Sequence, residues 1–169
     1  MHLINSLIYS HISENDRLAW CEVAELLNNT TVFLRDNPKY AGIGHFRCHS
    51  LCDAVAFNVD KYKLTVVDGF YLGLKSNSPN EKDFTIEYCE HSWLVTSDLT
   101  IIDPYPVGTL NINPLLIPAK GTYARFGYNF YLPDQSVSKT VRNRDLFEES
   151  KRWIRILRKA KESAMVSAT

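Results

Sequence analysis

The chain has no excess of charge of either sign. Lys plus Arg and Asp plus Glu each number 19 among 169 residues. No global field therefore draws the protein onto nucleic acid or an anionic membrane, and any charge-driven partner must be recruited locally. A long apolar run is also missing: residues 1–12 are interrupted by His2, Asn5, Ser6 and His11 and carry no basic leader. The stretch reads as neither a signal peptide nor a membrane span. Cysteine is scarce, with residues at 21, 48, 52 and 89. Without an export signal, the expectation is reduced thiols in a cytoplasmic setting rather than a disulfide framework. No internal repeat or low-complexity segment is present. The composition, 45% apolar and 22% charged, suits a continuous core, so 1–169 is read as one domain with its core at 40–135.

Ser13 followed by Glu14, Asn15 and Asp16 is a helix start with acidic residues at the positive end of the dipole. The stripe Leu18, Cys21, Val23, Ala24 and Leu27 predicts a helix over 14–28. A loop containing Pro38, Gly42 and Gly44 then delivers the chain to a helix over 48–59, whose Leu51, Ala54 and Val55 share an apolar side. Strands are expected at 64–74, 84–95 and 99–103, the last two joined by a tight turn at Thr96-Ser97-Asp98. A proline-bearing loop at 111–120 and an aromatic-rich strand at 123–132 follow. The last helix, about 145–165, sets Leu146, Trp153, Ile156, Leu157 and Ala160 against a basic face of Lys151, Arg152, Arg155, Arg158, Lys159 and Lys161. That face reads as the solvated side of an amphipathic helix docked by Trp153, not as a nucleic-acid or lipid contact. The fold class is α+β, with a central antiparallel sheet, the helix at 48 packed on it, and a long C-terminal helix.

Three side chains suggest chemistry. A turn at 96–98, with Asp98 left-handed, puts His91 directly opposite Asp103 with Cβ atoms about 5 Å apart, within reach of a hydrogen bond. Trp93 shares the face of His91 and would shield it from water. A cysteine at a helix start feels the positive end of the backbone dipole, and a neighbouring imidazolium favours its thiolate. Cys48 holds that place if the helix begins straight after the glycine loop. Ser50 with Asp53 resembles a capping box, however, and that start would put Cys52 in the first turn. A thiolate nucleophile, an imidazole that takes and returns its proton, and a carboxylate that orients the imidazole are what acyl transfer needs.

Cys48 leading into Leu51-Cys52-Asp53-Ala54-Val55, then His91-Ser92-Trp93 and Ile102-Asp103-Pro104, resembles the transglutaminase-like branch of the papain-like cysteine enzymes. The resemblance covers 48–106. Within that branch, the compact size and the Arg47-Cys48 pair also resemble the leader peptidases that mature lasso peptides. The resemblance implies a papain-like fold, with Cys48 as nucleophile, His91 as base and acid, Asp103 as orienting carboxylate, and a thioester intermediate resolved by water or an amine. It implies a cysteine peptidase, amidase or other thiol hydrolase acting on a peptide or protein, with no cofactor and with scope for a partner protein that opens the site. Tyr40 and His45 are candidates for the rest of the pocket. The only oxyanion donor the motif offers is the backbone N–H of the nucleophile.

Two other readings stand beside this one. Cys48, Cys52, Cys89 and His91 make a Cys3His set of the kind that binds structural zinc, which would make the chain a metal-stapled module. Alternatively, the domain keeps the fold, binds a peptide or protein, and has no catalysis.

Overall fold

The computed structural model describes residues 12–40, 48–76, 84–105, 114–118, 131–138 and 146–167. Helices α1 (Glu14–Asp36), α2 (Cys48–Asn58) and α3 (Leu146–Ser167) accompany strands β1 (Thr65–Ser76), β2 (Phe84–Val95), β3 (Ile101–Asp103), β4 (Leu115–Ile117) and β5 (Tyr131–Pro133). The strands form one antiparallel sheet in the order β4-β3-β2-β1-β5. The architecture is α+β, as the sequence suggested.

The central element is α2. Its sequence, CHSLCDAVAFN, has a single charged residue, and His49, Ser50, Leu51, Cys52, Ala54 and Val55 are all buried. A helix apolar on most sides must be covered on most sides. One side of α2 meets Leu94 and Ile102 of the sheet, while Ala19, Val23, Leu26 and Leu27 of α1 and Trp153, Ile156 and Leu157 of α3 complete the same core. Trp153 is buried against this core, so the apolar stripe of α3 docks as expected and its basic side chains face outward. The opposite face of the sheet carries a second, smaller cluster of Trp93, Ile101, Ile117 and Tyr131.

Ser13 caps α1 as expected, its hydroxyl accepting from Asp16 N at 3.2 Å. The helix does not end near Asn28, however; it runs on to Asp36. The polar run Asn28-Asn29-Thr30-Thr31 is absorbed because Thr30 and Thr31 hydroxyls donate to the carbonyls of Leu26 and Leu27 at 2.7 and 3.0 Å. The stop comes at Asn37, whose side-chain amide donates to Phe33 O at 2.9 Å. Residues 115–117, expected as loop, form β4 by pairing with all of β3. Trp20 Nε1 donates to Pro114 O at 2.8 Å and ties that edge to α1. Of the strand expected at 123–132, only Tyr131 and Leu132 lie among the described residues, and both are in β5.

The β2–β3 turn also differs from expectation. Thr96 N donates to Thr100 O and Leu99 N to Thr96 O, both at 3.0 Å. The loop is therefore Ser97-Asp98-Leu99, and the left-handed residue is Leu99, at φ 67°, not Asp98. Leu94 pairs with Ile102 and Val95 with Ile101, which places Asp103 one step diagonally from His91 rather than directly opposite. The shift is by two residues, and side chains alternate with period two, so the two groups stay on one face.

Leu99 is 62% exposed and holds a conformation that costs an L-residue about 1 kcal/mol. Leu99→Gly is expected to raise stability by about 0.5–1 kcal/mol, read as a higher urea midpoint at unchanged slope. A lower midpoint would show that the exposed leucine contributes more than its backbone strain removes.

Candidate active site

β2 alternates its side chains across the sheet. His91 and Trp93 lie on the face of the smaller cluster, while Ser92 and Leu94 lie toward α2. The β2–β3 ladder is only two pairs long. Beyond it the carbonyl of Ser92 accepts from Cys52 Sγ at 3.2 Å, and Cys48, in the first turn of α2, lies near enough to His91 for its sulfur to raise the pKa of the imidazole. On its other side His91 Nε2 is 2.8 Å from Asp103 Oδ2. A carboxylate can only accept, so Nε2 carries the hydrogen and Nδ1 is the nitrogen left for the sulfur. Cys48, His91 and Asp103 are thus brought together in the order that the sequence suggested.

Asp103 is fully buried, and both of its oxygens accept hydrogen bonds. Besides His91, Oδ2 accepts from the Tyr131 hydroxyl at 2.7 Å, and Oδ1 accepts from Tyr105 N at 2.9 Å. Burial works against a charged imidazole, but the hydrogen bonds and charges of Asp103 and Cys48 outweigh it and raise the His91 pKa to about 9. Tyr131 is shifted up, first by burial and then by the adjacent Asp103 charge. Trp93 stacks on His91 with ring centroids 6.3 Å apart and planes 27° apart, and is itself buried.

The two cysteines of α2 are now distinguishable. Cys48 is partly accessible, whereas Cys52 is sealed in the core. Burial, reinforced by the charges of Asp103 and Cys48, pushes the Cys52 thiol well above its ordinary range. A buried, protonated thiol that donates to a backbone carbonyl is a poor nucleophile. The capping box at Ser50 is not used: Ser50 lies inside the helix, and its buried hydroxyl has no partner among the described residues.

Tyr40 is not at the site. It lies in the turn Pro38–Tyr40, 5.5 Å from the Phe33 ring, with its hydroxyl accepting from Lys159 Nζ at 3.0 Å. Apolar packing between α1 and α3 decides its place, which the adjacent glycine loop did not reveal. His45 falls outside the described residues. The zinc set is not assembled: Cys89 is exposed, and among the described residues no group of three or more His, Cys, Asp or Glu could hold a metal ion. None of the described helices is long and apolar enough to cross a membrane.

A second polar cluster lies just behind, on the α2 side of the sheet, and sequence reasoning did not assemble it. His49 Nδ1 donates to Asp68 Oδ1 at 2.9 Å, and Ser92 Oγ hydrogen-bonds both. Ser138 Oγ donates to Asp68 Oδ2 at 2.8 Å, and Asp134 N donates to Asp68 O at 3.0 Å. The signal was present in the sequence: an aspartate in the middle of Val66-Val67-Asp68-Gly69-Phe70 is costly unless partnered. Burial would raise the Asp68 carboxyl, but the hydrogen bonds from His49, Ser92 and Ser138 prevail and hold it at about 2. The cluster fixes the first turn of α2 against β1 and β2, and so fixes Cys48.

Compared with protein-family models, with curated proteins and with solved structures, the chain matches none. The site therefore rests on its own geometry.

Asp68 supplies a measurable acid limb. Its carboxyl falls from 3.8 to about 2 on folding, so its contribution is full above about pH 4 and is lost as the pH drops through about 2, an effect of about 2 kcal/mol. Asp68→Asn is expected to lower neutral-pH stability by about that amount and to flatten stability between pH 4 and 2. An unchanged acid limb in urea titrations of the variant would remove Asp68 as its source.

Proposed function

We propose that the chain is a thiol-dependent hydrolase or acyltransferase that acts on an amide bond of a peptide or protein, with a papain-like, transglutaminase-like arrangement of Cys48, His91 and Asp103. The observation that carries this reading is the placement of His91 between the Cys48 thiol and Asp103 Oδ2, the latter at 2.8 Å. Nucleophile, base and orienter are adjacent in that order, with Nε2 of the imidazole committed to the carboxylate and Nδ1 left for the sulfur.

The chemistry follows from those positions. His91 Nδ1 takes the Cys48 proton, and the sulfur attacks the carbonyl carbon of the substrate. As the C–S bond forms, the carbonyl oxygen becomes an oxyanion. The N–H groups of a helix's first turn have no intrahelical acceptor, so the backbone N–H of Cys48 is available to that oxygen. Collapse of the adduct breaks the C–N bond, the proton on His91 passes to the leaving amine, and a thioester remains on Cys48. Water or a second amine, deprotonated by His91, then attacks the thioester and releases an acid or a new amide together with the thiol. Asp103 stays ionised and holds the ring throughout. Trp93, packed on the ring, keeps solvent from that side of His91.

Iodoacetamide is expected to label Cys48 below pH 7 faster than Cys21 or Cys89, the two exposed cysteines. His91→Ala should slow that labelling on the order of 100-fold, and Asp103→Asn should slow it less. Iodoacetate, an anion, should react fastest while His91 is an imidazolium. Its rate constant should fall as the pH rises through about 9, where His91 loses its proton. Mass spectrometry of the alkylated peptide locates the thiol. Uniformly slow labelling of all four cysteines, unaffected by His91→Ala, would overturn the assignment and leave a binding domain without catalysis.

A further inference from the structure

We propose that Tyr131 is a positioning residue of this site, its hydroxyl setting both the orientation of the Asp103 carboxylate and the share of its charge that reaches His91. The inference rests on the reading of His91 and Asp103 as a working pair. Its basis is an atom shared by two donors: Asp103 Oδ2 receives His91 Nε2 at 2.8 Å and the Tyr131 hydroxyl at 2.7 Å. With Tyr105 N on Oδ1 at 2.9 Å, both carboxylate oxygens are engaged and the group cannot turn. Two donors on one oxygen compete for its electron density, so whatever the phenol withdraws the imidazole does not feel.

The aim of the hydroxyl is set by packing rather than by chance. The Tyr131 ring is 2% exposed and is wedged by three rings: edge-on to Trp93 at 5.1 Å, tilted against Tyr71 at 5.1 Å, and tilted against His91 at 6.2 Å. β5 delivers it, with Tyr131 paired to Tyr71 and Pro133 to Gly69. A Cβ on Gly69 would lie 2.1 Å from Leu132 O, so β5 can come this close only because residue 69 has no side chain. The titratable groups facing His91 are Cys48 from α2, Tyr71 from β1, Asp103 from β3 and Tyr131 from β5. Cys52 is near enough to add to the upward shift of Tyr131. Among these, Tyr131 is the one that acts on His91 by way of Asp103.

A buried tyrosine needs a partner for its hydroxyl whatever its role. The test must therefore read the charge on His91, not stability. Tyr131→Phe keeps the ring and removes only the donor. With the phenol gone, the full charge of Oδ2 falls on the imidazolium, and the midpoint of the His91 imidazole titration, followed by NMR on the nitrogen-15-labelled full chain, should rise by about half to one pH unit. Tyr131→3-fluorotyrosine, a stronger donor of nearly the same size, should move the midpoint the other way, and it also serves if the phenylalanine variant does not fold. In an Asp103→Asn background neither change should move it. A midpoint that stays put in both tyrosine variants overturns the proposal, as does an equal shift in the Asp103→Asn background, which would show that Tyr131 acts without the carboxylate. The titration does not depend on reactivity. Slow Cys48 alkylation beside a shifted midpoint would sink the enzymatic reading and spare this one, whereas fast alkylation beside an unmoved midpoint would do the reverse.

Discussion

The burial of α2 is the constraint on which the rest depends. A helix this apolar has to be covered by the sheet on one side and by α3 on the other, with α1 completing the same core, and its first turn is thereby driven into the place where β3 leaves β2. The hydrophobic effect has no direction of its own; the direction comes from polar groups. His49 meets Asp68 and Ser92, Cys52 meets the Ser92 carbonyl, and Cys48 meets His91. Apolar area supplies the adhesion, and a few hydrogen bonds select one placement among the many that the same area would accept.

That division explains why the two faces of β2 look so different chemically. Toward α2, Asp68 is an anion held well below the usual carboxylate range by the donors around it, and its work is to hold the backbone. On the far face, Asp103 is an anion that shares its charge with an imidazole, and burial and ion pairing pull the charge state of His91 in opposite directions, with pairing the stronger. β2 thus presents a partner to each anion on successive residues, Ser92 to Asp68 of β1 and His91 to Asp103 of β3, kept apart by the pleat.

The sequence made much of this legible. Period-two alternation puts His91 and Trp93 on one face from the sequence alone, and the apolar run after Cys48 identifies the helix that bears the thiol. The error in the turn, Asp98 for Leu99, left the His91–Asp103 pair intact because an even shift keeps the face. What was hidden shares one trait: it depends on partners distant in sequence. The second half of α1 looked like a helix end because Thr30 and Thr31 are polar, and only packing against α3 makes back-bonding to Leu26 and Leu27 the better solution. Nothing near Leu115 signals a strand until β3 is there to pair with it. Tyr131 is one aromatic residue among several in its stretch, and only the absent side chain of Gly69, far away in sequence, marks where β5 must cross.

Cys48 and His49 are consecutive residues, so their side chains leave α2 about 100° apart around its axis. They reach groups on opposite faces of the sheet, His91 of β2 for the first and Asp68 of β1 with Ser92 of β2 for the second. The two placements are linked: the helix cannot roll without breaking the bonds of His49 and carrying Cys48 away from His91. The sulfur therefore swings only about its own side-chain bond, and its arc toward His91 is built into the ground state rather than awaiting a movement of the fold.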